Sequence, residues 1–313
     1  MLAIWLTHAL TYPFTIYLYF EMIIANPAFR VGLSEVTSNI GILAYVVSSY
    51  YSVYLFVIER DLIEKLLRKN TGPSASVLLC LTCVVPNMFL TFKTMFDVGR
   101  ADIFIAFWNF VFSSFSRTMF SAIYVAVAEG LIAQLGNIYR RIREKRLSSG
   151  SLRSAKWKLR EDVQTVNSLF RIPLALQHAQ LFVAAISCFA SWLGSYRKGY
   201  GLLIPLLLSI ALFAQVFCGV RKASEVSSQC IDIDILLLKS PDAFTPAEHS
   251  DLVRIYRFRE EWDALQVACY TLRMSNFVKF SATVFTWVAV VLQFDYKIIR
   301  TLTELNDANS TQI

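Results

Sequence analysis

Seven predominantly apolar runs of about 20 residues recur along the chain, over roughly 3–24, 36–58, 74–92, 102–128, 175–195, 200–220 and 276–295. A soluble domain buries its apolar residues in short periodic elements, whereas runs of this length match the thickness of a bilayer. The composition agrees: 56% of the 313 residues are hydrophobic, 17% are charged, and mean hydropathy is +0.49. The expected fold class is an all-α membrane protein with seven transmembrane helices.

The first run has no basic segment before it, is too long for a signal-peptide core and carries Glu21 near its end, so it reads as a retained span. Lys and Arg then set the topology. Of 30 such residues, the connections between spans 2–3, 4–5 and 6–7 hold 4, 10 and 7. The connections 1–2, 3–4 and 5–6 and the C-terminal tail hold 1, 2, 2 and 2, and Arg117 and Lys279 lie in or at the ends of spans. The bias of 21 to 7 puts the three rich connections in the cytoplasm, with the N-terminus cytoplasmic and the C-terminus extracellular. A rhodopsin-type receptor has the opposite orientation. The net charge of +7, partitioned in this way, is no nucleic-acid footprint. The sequon at Asn309 falls in the outer tail and marks a candidate glycosylation site.

The six cysteines include a Cys80–Cys83 pair on an apolar helix, with no second ligand pair for a metal and no disulfide framework. His8, His178 and His249 are dispersed, and His178 reads as structural. No enzyme constellation is present: no embedded Asp pair, no HExxH, no Ser/His/Asp set, no Gly-rich phosphate loop. No cofactor is implied.

Several spans continue beyond the membrane. Residues 59–69 read as an extension of span 2, broken at Thr71-Gly72-Pro73. After span 4, Leu131, Ile132, Leu135, Ile138, Tyr139 and Ile142 recur at helical spacing, and Ser148–Ser151 ends that helix. A second amphipathic stretch, 154–172, is expected to stop at Pro173. In the connection of about 55 residues before span 7, Thr245 as N-cap and Pro246 start a helix. Its apolar face is Leu252, Tyr256, Trp262, Leu265, Cys269 and Leu272, leading directly into span 7. Such stripes need partners, either in a cytoplasmic anchor bundle within and between subunits, for which Trp262, Tyr256 and Leu265 are the assembly candidates, or on the inner leaflet. The expected organisation is thus 1–130 spans 1–4, 131–174 a cytoplasmic extension, 175–220 spans 5–6, 221–275 anchor helices, 276–295 span 7 and 296–313 an extracellular tail.

Span 7 carries Thr286-Trp287, five apolar residues, then Gln293-Phe294. An amide with a Thr seven residues before it on an apolar helix faces protein or water, because lipid offers it no partner. The pattern resembles the Thr-Tyr-(five apolar)-Gln-Phe motif near the C-terminus of insect gustatory receptors, with Trp287 where the family has Tyr. The resemblance covers the whole chain in layout and is specific at Thr286 to Phe294. It implies a ligand-gated cation channel of four subunits, related to the insect odorant receptors, in the plasma membrane of a gustatory sensory neuron, its dendrite included. The partners implied are a small-molecule tastant, membrane lipid, and identical or related subunits in a homo- or heterotetramer. These receptors carry a cytoplasmic segment before span 1, whereas here residue 1 lies almost in the span.

By the same resemblance Gln293 and Phe294, with Thr286 and Val290 on the same helix, line and gate the pore. Four amides can solvate a cation and four phenyl rings can close the path by dewetting. The alternative is that Gln293 bonds a neighbouring helix and Phe294 packs. Lys297, one turn on, would put a basic ring at the mouth unless the helix ends or bends at Phe294-Asp295. The family's ligand pocket lies among spans 2 to 6 toward the outside. Candidates there are Asn39, Tyr45, Trp108, Asn109, Ser113, Ser191 and Trp192, whose aromatic and amide or hydroxyl groups suit a small uncharged organic ligand. Arg117, in mid-span 4, needs a counter-ion, with Glu21 and Glu129 flanking its zone. The other class of function is a non-conducting receptor-like scaffold or regulatory subunit. The ligand itself (sugar, bitter compound, carbon dioxide or internal nutrient) stays open.

Overall fold

The computed structural model describes residues 17, 47, 50–52, 54–68, 74–83, 103–144, 149–195, 203–239, 245–247, 250, 264–267 and 270–310, with side chains over part of these. In chain order the elements are α1 (Arg60–Leu67), α2 (Ala75–Thr82), α3 (Ile103–Arg143), α4 (Ser149–Ser195), α5 (Leu203–Leu238), β1 (Gln266–Val267), β2 (Tyr270–Thr271) and α6 (Met274–Ser310). At 1.5 Å per residue α3 is about 60 Å long, α4 about 70 Å, and α5 and α6 about 55 Å each. Each therefore exceeds the roughly 30 Å hydrocarbon layer of a bilayer. Among the described residues, Thr118–Arg143 and Met274–Val291 are helices long and apolar enough to cross a membrane.

Length alone does not hold such helices together; their faces do. α3 and α4 run antiparallel, joined by a short connection. Phe120 packs tilted against Phe170 at 5.0 Å and Tyr124 against Phe170 at 5.4 Å between ring centroids. Leu131, Leu135, Val163 and Val166 continue that core into the half of the bundle near the α3–α4 connection, and α5 closes it with Val216, Val220, Ala223 and Val226. A smaller core joins α2 to α3 and α5 through Val77, Cys80, Val125 and Cys218. None of the described cysteines Cys80, Cys83, Cys218 and Cys230 is in a disulfide.

α1 begins where the second apolar run leaves off. Glu59 departs from helical dihedrals, yet its N–H donates to Leu55 O at 3.0 Å and its carbonyl accepts from Ile63 N at 3.0 Å, so the ladder continues. Ile63 and Leu66 face the core while Asp61, Glu64, Lys65 and Arg68 face out. Arg68 bonds Glu64 at 2.7 Å and holds its carboxyl below the ordinary value. α2 starts at Ser74, an extended N-cap whose hydroxyl accepts from Val77 N at 3.2 Å.

Three sequence expectations are corrected here. α4 runs straight through Pro173 instead of stopping before it. The proline removes one rung and crowds the preceding turn. Leu169, Phe170 and Leu174 nevertheless bury on both sides of it, and that packing carries the helix across. Ser149, Gly150 and Ser151, read as the end of the preceding helix, are the first turn of α4.

The second correction concerns residues 264–267 and 270–273. They form no helix leading into span 7 but an antiparallel pair, Gln266 opposite Thr271 and Val267 opposite Tyr270. Leu272 N donates to Leu265 O at 2.8 Å and closes the hairpin. β-branched and aromatic residues, Val267, Tyr270 and Thr271, favour the extended form. Leu265, Val267 and Leu272 bury in the chain's own core, which a helix could offer only along one stripe. Third, α6 continues to Ser310, so most of the stretch read as a tail is helical, and Asn309 lies in its last turn. Trp262 and Tyr256 lie outside the described residues.

Candidate functional site

α6 is anchored at its foot and two-faced above it. Asn167 of α4 uses both ends of its amide on the hairpin: Nδ2 donates to Ala264 O at 3.0 Å and Oδ1 accepts from Gln266 N at 2.9 Å. Asn276 Nδ2 donates to Thr271 O at 2.9 Å, and Met274 N reaches Ser224 Oγ of α5 at 3.5 Å. Phe277 then packs against Phe213 and Phe217 of α5, and Phe280 meets His178 edge-on at 5.5 Å.

Above this foot, Val284, Val288 and Val291 form the buried stripe, at the i, i+4, i+7 spacing of one helical face, with Phe182 of α4 packed on it. Trp287 also lies against Phe182, at 6.3 Å between centroids. Thr286 and Gln293 sit seven residues apart and are exposed, and Val290 is half-buried beside them. Val288 is two positions on from Thr286, about 200° at 3.6 residues per turn, so the polar stripe lies opposite the valine stripe. Phe294 is 56% exposed, with Val278 and Phe285 also open on α6. The Thr286 hydroxyl donates to Ala282 O at 3.0 Å, so it needs no outside partner. The helix neither ends nor bends out of register at Phe294-Asp295, so Lys297 stands one turn beyond Gln293 on a continuous helix.

The candidate ligand residues are partly described. Asn39 and Tyr45 lie outside the described residues. Trp108, Asn109 and Ser113 fall near the start of α3, and Ser191 and Trp192 near the end of α4. The bond between Gln177 and Ser121 fixes the antiparallel register of these helices, which brings both groups of positions to the same end of the bundle. Arg117 lies on α3 about 18 Å along the axis from Glu129. Glu129 has its own partners. Its Oε1 accepts from the Ser74 hydroxyl at 2.6 Å and pairs with Lys222 Nζ at 3.4 Å, tying α2, α3 and α5 together.

Sequence reasoning missed a polar layer inside the bundle. Gln177 Nε2 donates to Ser121 Oγ at 2.9 Å and Gln215 Nε2 to Thr118 Oγ1 at 3.1 Å, all four side chains buried. His178, also buried, places Nδ1 at 2.7 Å from Leu174 O, a structural arrangement. The signal was available: Gln177 and Gln215 are amides in apolar runs, as Gln293 is. What distinguishes Gln293 is that its side chain is exposed where those of Gln177 and Gln215 are buried.

No protein-family model and no curated protein matches this sequence. Solved structures do. The insect olfactory receptor OR5 from Machilis hrabei in complex with eugenol superposes with a TM-score of 0.67 at 12% identity, covering 92% of this chain and 88% of that one. The same receptor described without eugenol gives a TM-score of 0.60 at 14% identity, over the same shares of the two chains. The hairpin-footed, two-faced α6 therefore belongs to a fold that this chain shares with an insect olfactory receptor.

Proposed function

We propose that this chain is a subunit of a ligand-gated cation channel with a chemosensory, gustatory role. It spans the plasma membrane seven times, with the N-terminus inside and the C-terminus outside, and four subunits enclose a pore lined by α6. The observation that carries the reading is the opposition of faces on α6. A conducting helix must satisfy its own subunit on one side and present polar groups to a water path on the other. Val284, Val288 and Val291 do the first, and Thr286 and Gln293 are available for the second. The shared fold with a receptor solved with a small organic ligand, eugenol, supports the receptor half of the proposal. The start of α3 and the end of α4, with Trp108, Asn109, Ser113, Ser191 and Trp192, form part of the tastant pocket.

The test is current through cells expressing the chain, alone and with related subunits, under a panel of tastants. Phe294→Ala should raise current without ligand, by removing a hydrophobic constriction. Gln293→Ala should change ion preference and leave ligand sensitivity in place. A conducting channel indifferent to both substitutions would remove α6 from the pore.

One observation favours a second reading, a regulatory or non-conducting subunit. Because α6 continues past Asp295, Lys297 keeps its register with Gln293, and four lysines at the mouth would repel cations. Current that appears only in Lys297→Gln would select this reading.

A further inference from the structure

The polar layer between α3, α4 and α5 lines a small, partly open cavity, bounded at one side by Leu272 just before α6. Its interior volume of about 10 Å³ for water centres accommodates about one water molecule. The polar walls are Ser121, Tyr124, Gln177, His178 and Gln215. Tyr124 is the residue that needs explaining. It is 1% exposed, its ring packs on Phe170, and its hydroxyl has no hydrogen-bond partner among the described residues. A buried tyrosine hydroxyl ordinarily finds a partner, and phenylalanine would fill the same space without that need.

We infer that this cavity is a binding site for a single ordered water molecule, which hydrogen-bonds Tyr124 and links α3, α4 and α5 at the foot of α6. Size excludes any organic ligand, so the site is separate from a tastant pocket. Charge disfavours an ion: the described lining residues include no carboxylate, and a cation among neutral walls would lose its hydration uncompensated. Hydroxyls and amides together supply both donors and acceptors, as a water requires. The inference stands whether or not the protein conducts.

A map of the full chain in lipid nanodiscs, sharp enough to show buried waters, tests it. The expected result is a peak at about 2.7–3 Å from the Tyr124 hydroxyl, the hydrogen-bond distance. The peak should vanish in Tyr124→Phe. It should also vanish or shift in Gly219→Ala, which alters no polar group. A Cβ there would lie 3.4 Å from Tyr124 Cε1, an ordinary contact that narrows the cavity without a clash. Should Tyr124→Phe fail to fold, Gly219→Ala alone decides, and an unchanged peak in that variant overturns the site. So does a wild-type map with buried waters elsewhere and none beside Tyr124, or a Tyr124 hydroxyl bonded directly to protein.

Discussion

An amide in an apolar helix must find a partner, and three glutamines here meet that demand in two ways. Gln177 and Gln215 bond hydroxyls of α3 inside the bundle, and Gln293 is exposed. Replacing Gln177 by Ala leaves the Ser121 hydroxyl without that donor in a buried setting. Thermal melting in detergent should show a loss of about 1–3 kcal/mol. Gln293→Ala should leave the melting temperature unchanged. At this scale the sequence announces only that a polar group needs company. It cannot say which helix provides it, because periodicity gives the face of a residue and not what that face meets. Thr118 and Ser121 were invisible for the same reason: a hydroxyl in an apolar run can satisfy itself on its own helix, as Thr286 does with Ala282.

Elements were most legible where their length came from apolar runs and amphipathic extensions. The continuation of α3 to Arg143 follows directly from the stripe of Leu131, Leu135, Ile138 and Ile142. Pro173 and the 264–273 segment were misread because local rules lost to tertiary burial. Phe170 and Leu174 hold the helix on both sides of the proline, and Leu265, Val267 and Leu272 bury best as a hairpin. That hairpin depends on Asn167, which supplies two bonds at once. Asn167→Ala should destabilise the protein by about 1–3 kcal/mol for the groups left unpaired. Hydrogen exchange should rise at Leu272, whose N–H closes the hairpin, before it rises in α3.

The whole molecule leaves apolar surface that one chain cannot cover. Trp157 on α4 is 70% exposed and Ile172 is 52% exposed, in the part of α4 that precedes the fifth apolar run. In the proposed tetramer these would be contact residues, which sequence periodicity did not single out. Trp157→Asp should shift the purified particle from tetramer to smaller species on size-exclusion chromatography with light scattering, and the monomer fold should persist, since the side chain has little to lose within its own chain. An unchanged tetramer would free Trp157 from assembly. Orientation is tested with an epitope after Ile313, which should stain unpermeabilised cells. Staining only after permeabilisation would reverse the topology drawn from the Lys and Arg bias. The apolar runs carried the all-α character of the fold; a surface between subunits would leave no periodic trace, because one exposed tryptophan looks the same whether a partner covers it or not.

The fixed foot of α6 has a mechanical consequence. A helix held at one end by Asn167, Asn276 and Ser224 is a lever, and Gln293 sits about 28 Å up its arm from Met274. A tilt of about 5° at the foot carries that amide sideways by about 2.4 Å on an arm of this length. In the proposed tetramer, four arms leaning outward together would widen the opening by about twice as much, while Val284, about 15 Å from the pivot, slides about half as far as Gln293 moves, and Val291 nearly as far. Rearrangement at the foot too small to disturb its packing is then enough to move the far end by most of a water diameter.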